Sequence, residues 1–287
     1  MIPQLLADGV VTGSTYALIA IGFTLIIGVL GVLNMAHQET MMIAAVTAAI
    51  ANAAGVPIHL GAPCALAASV ALGLAIERLA IRPVSRGEIL TPVIATVGAS
   101  LLIEHGVARF YSPDKQVFGL PLHYYRLGRY VQISDAQIAT VGVTAALAAG
   151  LWLVLYRTRL GKAIRAVSER PDVAACLGID VTRIIQLSVA LSALLAGCGG
   201  LLIGWLYNSA WAFMGIHYGL KGLVAMILGG VSSVWGSMLA GLMIGVAESF
   251  TVGYISSSYR DAVAFGLLIL LLLIRPHGLG ERIPTRD

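Results

Sequence analysis

The stretch Gly13-Ser-Thr-Tyr-Ala-Leu-Ile-Ala-Ile-Gly-Phe-Thr-Leu-Ile-Ile-Gly-Val-Leu-Gly-Val-Leu33 contains no charged residue. It has the length of about 20 residues that a helix needs to cross roughly 30 Å of hydrocarbon. It is too long for a signal-peptide core and lacks a basic leader, so it reads as a retained span. Apolar runs of similar character recur at about 40–59, 62–80, 91–110, 134–155, 184–206, 219–233, 236–252 and 261–274. Unsatisfied backbone groups are too costly in lipid for an open sheet, and the runs lack the alternation of barrel strands. The expected fold is all-α: a polytopic bundle of eight spans, give or take one, forming a single transmembrane domain over 1–287.

Composition agrees. The chain is 58% hydrophobic and 11% charged, against about 25% charged in an ordinary soluble domain, and its mean hydropathy is +0.89. The net charge of +4 does not indicate nucleic acid, because the basic residues lie in short segments between apolar runs. Arg78, Arg82 and Arg86, the 157–183 segment, and Arg275, Arg282 and Arg286 mark three regions as cytoplasmic. If every run is a full span, the N-terminus lies outside. The Gly229-Gly-Val-Ser-Ser-Val-Trp-Gly236 turn instead allows its flanking runs to form a broken or re-entrant pair. Cys64, Cys176 and Cys198 are isolated, without metal or disulfide spacing, and read as packing residues.

The longest polar segment expected outside is 111–134, with Pro113, Asp114, Lys115, Pro121, Tyr124, Tyr125, Arg126 and Arg129. Its mixed charge suits docking of a soluble protein, and its tyrosines suit an interfacial belt. On the opposite side, Leu160 to Arg170 is a good helix composition, with Arg165 and Glu169 four apart on one face. Pro171 suits the first turn of a new helix, Asp172 favours its positive end, and Gly178 suits its C-terminal cap. The pattern predicts a short helix from Pro171 to Gly178 offering Val173, Ala174 and Leu177, ringed by Arg165, Arg170 and Asp180. An ordinary basic loop explains the charge equally well.

Enzyme chemistry finds no support. Gly161-Lys162 is followed by Ala163, and Tyr156 stands where a phosphate-binding loop needs its first Gly. There is no His-Glu-x-x-His motif, and Gly230-Val-Ser-Ser lacks the Gly expected after a nucleophilic Ser.

Polar residues within the spans are costly, about 2.5 to 3.5 kcal/mol for a charge at the bilayer centre, and should face a partner or a watery path. Asn34, His37 and Glu39 cluster where one span breaks into the next, a place where broken helices expose backbone groups to a substrate. A cytoplasmic turn is the plainer alternative. Thr96 and Ser100 line a path or bond back to their own helix, and interfacial snorkelling accounts for Glu104, His105 and Glu248. Gly229, Gly230, Ser232 and Ser233 interrupt an apolar stretch and suit a gate. Gly197, Gly199, Gly200 and Gly204, with Gly236, Gly241 and Gly245, read as close helix packing.

Arg157-Thr-Arg-Leu-Gly-Lys-Ala-Ile-Arg-Ala-Val167 with Ala174-Ala-Cys-Leu-Gly-Ile-Asp180 resembles the cytoplasmic loop of LivH-type permease subunits of branched-chain amino acid ABC importers. The resemblance extends to Tyr16-Ala-Leu-Ile-Ala-Ile-Gly-Phe-Thr-Leu-Ile-Ile-Gly-Val-Leu-Gly-Val-Leu-Asn-Met-Ala-His37, Arg82-Pro83, Ile94-Ala-Thr-Val-Gly-Ala-Ser100, Leu228-Gly-Gly-Val-Ser-Ser-Val-Trp-Gly-Ser237, Gly245-Val-Ala-Glu-Ser249 and Arg275-Pro-His-Gly-Leu279. It implies a multi-pass protein of the bacterial inner membrane in which Pro171 through Gly178 is the coupling helix. The implied partners are two cytoplasmic ABC ATPase subunits, a second LivH- or LivM-type permease and a periplasmic solute-binding protein. The resemblance also implies that ATP and Mg belong to the ATPases, with no cofactor in this chain. Gln38 stands where the family has Gly, and Ala44-Ala-Val46 where it has Gly-Ala-Tyr; these differences bear on substrate preference if that bend lines the pathway. The competing reading is an ion-coupled secondary transporter or channel for a small polar solute such as urea or an amide, with Glu104, Glu248 or His37 as its coupling site.

Overall fold

The computed structural model describes residues 1–84, 90–127, 131–275 and 278–280. Arg86, Arg129, Pro276, His277, Arg282 and Arg286 lie outside the described residues. Eleven α-helices are described, in the order α1 (Ile2–Leu30), α2 (His37–Ala53), α3 (Ile58–Ile76, continued by a π-turn to Ile81), α4 (Leu90–Phe110), α5 (Asp135–Arg157), α6 (Arg159–Glu169), α7 (Pro171–Cys176), α8 (Val181–Leu206), α9 (Met214–Gly229), α10 (Val234–Tyr254) and α11 (Arg260–Ile274). Each expected apolar run matches one long helix. Seven of the described helices are long and apolar enough to cross a membrane. The remaining two runs form α2, with 17 residues, and α9, with 16. Both are buried helices that meet breaks in the chain, which accounts for a count between seven full spans and nine.

The strands are small. In the 111–134 segment β2 (Tyr124–Leu127) pairs antiparallel with β3 (Val131–Ser134), while β1 (Gln116–Val117) pairs with β4 (Ser209–Ala210) before α9. Ser134 and Gln137 form a reciprocal capping box that starts α5.

Helix α1 is the axis of the bundle, buried along most of its length, and α11 is the most exposed of the spans. The closest packing joins α1 to α10. A Cβ placed on Gly13 would lie 2.7 Å from the Leu242 Cα, and one on Gly241 would lie 2.7 Å from the Ala17 Cα. Gly9 is similarly pressed against Val246, and Gly245 against Gly13. Glycine at these helical spacings lets two backbones touch, as the sequence pattern suggests. On α8, Gly200 packs on Met41, Gly204 on the ring of Phe118 and Gly197 on Ser69. The cysteine reading is corrected in part: Cys64 and Cys176 are exposed, and Cys198 is half-buried.

Four charged residues and a tyrosine join α1, α9, α10 and α11. Lys221 Nζ lies 2.9 Å from Glu248 Oε1 and 2.9 Å from Asp261 Oδ1, and Tyr16 donates its hydroxyl to Glu248 Oε2 at 2.8 Å. Arg260 Nε stands 3.9 Å from Glu248 Oε2. Glu248 is 1% exposed, which corrects the snorkelling expectation. A carboxylate flanked by an ammonium and a phenol has no need to reach the interface.

Two predictions follow from this packing. Gly13→Ala should destabilise the purified protein by about 1–3 kcal/mol, because the obstructing atoms are backbone and cannot rotate away. Gly142→Ala, with open space around its Cβ position, should leave the melting temperature unchanged or raise it; equal effects at both positions would refute close α1–α10 packing. Lys221→Met should cost about 3–5 kcal/mol by stranding Glu248. Lys221→Met with Glu248→Leu should recover much of that loss in a double-mutant cycle, and additive losses would show that the two residues are not coupled.

Candidate functional site

The chain breaks after α1 because Gly31 takes a left-handed conformation, φ +67°, with its N–H on Ile27 O at 2.9 Å. Residues 31–36 are then free to turn back toward α2. Asn34 Oδ1 accepts the Ala36 N–H at 3.0 Å, and the Met35 N–H is taken by Thr96 Oγ1 on α4 at 3.2 Å. One turn along α4, Ser100 donates to Glu39 Oε1 at 2.8 Å. His37 sits with Nε2 3.5 Å from Ser192 Oγ on α8 and its ring edge-on to Phe23 at 4.7 Å.

All five residues suggested from the sequence around this break, Asn34, His37, Glu39, Thr96 and Ser100, are buried; Asn34, Glu39, Thr96 and Ser100 lie along the contact with α4, whereas His37 faces Phe23 on α1 and Ser192 on α8. Ser100 is ten residues into α4, about 15 Å along the helix axis, which puts the cluster near mid-bilayer depth. The turn is not the plain cytoplasmic one: Asn34, His37 and Glu39 are all buried. Thr96 bonds back to its own helix, donating to Val93 O, and also accepts the Met35 N–H. Glu104, one further turn along the same face, is also buried, so snorkelling fails here as well; His105 alone is exposed, beside Phe213 at 5.9 Å.

Helix α9 closes this cluster. A Cβ on Gly215 would stand 2.7 Å from Glu39 Oε2, and one on Gly219 would strike Gln38. Gln38 therefore packs across the α2–α9 seam. Such a seam holds the Glu39 carboxylate and the Gln38 amide away from the lipid face.

Gly229, Gly230, Ser232 and Ser233 do not join that cluster. They lie at the far end of α9, about 21 Å along the helix from Gly215. Gly230 has φ +96° and Gly278 φ +78°. The C-terminal segment lies against the break, with Leu279 N–H on Leu228 O and Gly280 N–H on Gly229 O, each at 2.9 Å. Ser233 caps α10 through the Gly236 N–H at 3.0 Å, and Ser232 is exposed. Backbone groups freed by the break thus find partners within the chain, as membrane depth demands.

The 157–183 segment forms a helical hairpin. Thr158 caps α6 through the Gly161 N–H at 3.1 Å. Gly161, Ile164 and Val167 are buried against the bundle, and Ser168 donates to Gly28 O near the end of α1. Arg165 lies 5.0 Å over the ring of Tyr156, and Glu169 is exposed one turn on. Pro171 opens α7 with Asp172 in its first turn. The helix closes in a Schellman arrangement, Ile179 N–H to Ala174 O at 3.1 Å and Gly178 N–H to Ala175 O at 3.0 Å, around Gly178 at φ +81°. Asp180 then caps α8 and pairs with Arg183 at 2.9 Å.

The expected outward face needs one correction. Ala174 is 1% exposed and packs beneath α7 with Ile164, Val167 and Ile184. Val173 and Leu177, 49% and 75% exposed, project away from the bundle. Sequence reasoning also missed Lys221, Tyr16, Arg260 and Asp261. The signal available was one lysine inside an apolar run.

Comparison with known proteins fits this architecture. Residues 5–272 match the model of a family described as branched-chain amino acid transport system / permease component. The permease protein BraD of a high-affinity branched-chain amino acid transport system in Pseudomonas aeruginosa is 39% identical, covering 96% of this chain and 94% of that protein. The corresponding LivH of Escherichia coli is 33% identical over the same shares. The ribose import permease protein RbsC of Escherichia coli is 28% identical, covering 91% and 82%. In fold, the chain is similar to one in the PsaBC complex with Fab from Streptococcus pneumoniae, at TM-score 0.53 and 15% identity, covering 95% and 92%. Taken with the broken helices and the capped hairpin, the matched span and these identities place the chain in the branched-chain amino acid transport system permease family.

Proposed function

We propose that this chain, a multi-pass subunit of the bacterial inner membrane, carries branched-chain amino acids inward in an importer powered by separate ATPases. The identity to BraD and LivH along nearly the whole chain supports that substrate. The observation that carries the mechanism is α7, a short helix opened by Pro171 and closed by the Gly178 turn, seated on Ala174 and presenting Val173 and Leu177 outward. An apolar pair on a basic surface, in a chain without a phosphate-binding loop, suits the cleft of a cytoplasmic ATPase. Arg165, Glu169, Asp172 and Arg170 form the polar rim of that contact.

In this reading, closure of the two ATPases displaces α7. The movement passes through Gly161, pressed on the end of α5, and through Ser168 on Gly28 of α1. Glu39, Ser100, Thr96, His37 and Asn34 lie along the pathway at mid-depth, and Gly229, Gly230, Ser232 and Ser233 form the inner gate beside residues 278–280. A second permease of the same type completes the pathway, and a periplasmic solute-binding protein delivers the amino acid to the side bearing β2 and β3. ATP and Mg reside in the ATPase partners. The chain makes no covalent bond to its substrate.

Leu177→Asp should lower ATPase association and amino acid uptake by more than tenfold, because a charged group on an apolar anchor costs about 2 kcal/mol or more. Membrane insertion and melting temperature should stay at the parental values. Ala174→Arg should instead lower the melting temperature, since it forces a charge beneath α7. Normal ATPase association by Leu177→Asp would remove the docking assignment. Nucleotide-independent uptake by this chain alone in proteoliposomes would overturn the ATP-driven reading.

A further inference from the structure

A cavity of about 750 Å³ lies between α9, α11 and the segment preceding α9, at the end of the bundle that carries the small strands. That volume is within the range of small-molecule sites, about 300–1,000 Å³. None of the residues suggested from the sequence for the pathway lines it. Besides the polar rings of Tyr207, His217 and Tyr218, its walls have two chemically distinct parts.

One part is charged. Lys221 reaches the cavity wall, but its ammonium is covered by Glu248, Tyr16 and Asp261 and its side chain is only 3% exposed. The cavity therefore meets Asp261, whose side chain is 57% exposed beyond its contact with Lys221. Arg260 is the next residue on α11; only its Nε approaches Glu248, at 3.9 Å, and its side chain is 37% exposed. A guanidinium has five N–H donors in a fork suited to carboxylates, so its terminal nitrogens remain available to a ligand. The wall thus offers an acceptor-only carboxylate beside a donor-only guanidinium. The other part is apolar: Phe213, Ile216 and Phe265, with the ring of Trp211 at the mouth under Lys115 at 4.7 Å.

An anion alone would leave Asp261 facing a like charge, and an amine alone would leave Arg260 unmatched. A molecule with both charges at one end and hydrocarbon at the other matches Arg260, Asp261 and the apolar wall together. We propose that this cavity is a binding site for a free aliphatic α-amino acid zwitterion, with its carboxylate on Arg260, its ammonium on Asp261 and its side chain among Phe213, Ile216 and Phe265. The inference rests on the amino acid import reading and adds a site on the permease itself, separate from the solute-binding protein.

The test uses the complete transporter in lipid nanodiscs without its binding protein, with equilibrium binding of radiolabelled leucine. Wild type should bind leucine saturably, and neither 4-methylpentanoate, which lacks the ammonium, nor isopentylamine, which lacks the carboxylate, should displace it. Asp261→Asn and Arg260→Gln should each weaken leucine binding by about tenfold or more, the worth of one charge-assisted hydrogen bond. Asp261→Asn should also admit 4-methylpentanoate as a competitor, a change that a merely structural role would not produce. Ile216→Trp, at an exposed position with no charge altered, should abolish binding by filling the cavity while leaving the melting temperature intact. Unchanged leucine affinity in Ile216→Trp would overturn the proposal, as would wild-type transporter that imports leucine with its binding protein yet binds none without it. Failure of wild type to import any aliphatic amino acid would instead overturn the underlying function, and the site with it.

Discussion

Everything in this bundle depends on how closely α1 and α10 approach. In lipid there is little hydrophobic drive between helices, so contact must come from packing and polar bonds. Gly9 and Gly13 on one helix, and Gly241 and Gly245 on the other, remove the side chains that would hold the backbones apart. The consequence appears within the same contact, where Tyr16 and Glu248 come within 2.8 Å. A wider spacing would strand the carboxylate in an apolar interior, at a cost of several kcal/mol per ion. The glycine contact therefore sets the distance at which the buried charges become tolerable.

The same logic explains where the sequence was readable. Hydropathy located all nine long helices because length and apolarity are local properties, and the Pro171 and Gly178 caps are equally local. The orientation of α7 was not legible. A helix of six residues has no repeat long enough to define a face, and which of Val173, Ala174 and Leu177 points inward depends on Ile164 and Val167 lying beneath it. Glu248 was misread for a related reason. Its partners Lys221, Tyr16 and Arg260 stand on three other helices, and no pattern within one span reveals a charge neutralised from outside it.

The constellation around Glu39 was legible because a polar cluster beside a chain break carries its own signal. The break and Asn34 lie in one segment, and Thr96 and Ser100 repeat at helical spacing on another. Sequence spacing named the two faces; packing brought them together. Gln38 shows the limit of reading departures by residue type. Its position against Gly219 makes it part of the α2–α9 seam, a packing role that residue type alone does not show.

Helix α1 connects the parts that a transport cycle has to coordinate. It has 29 residues, about 44 Å of continuous helix. Ser168 of the α6–α7 hairpin holds Gly28 at one end, Ser192 bonds to Gly22 O beside His37 less than two turns further in, and Tyr16 holds Glu248 at the midpoint. A helix buried along most of its length cannot bend locally without opening voids, and close-packed interiors resist that. If ATPase closure pushes α7, the push reaches α1 as a body, and at the foot of α9 Gly229 moves together with α10, because it is pressed against Gly236 and Ser237.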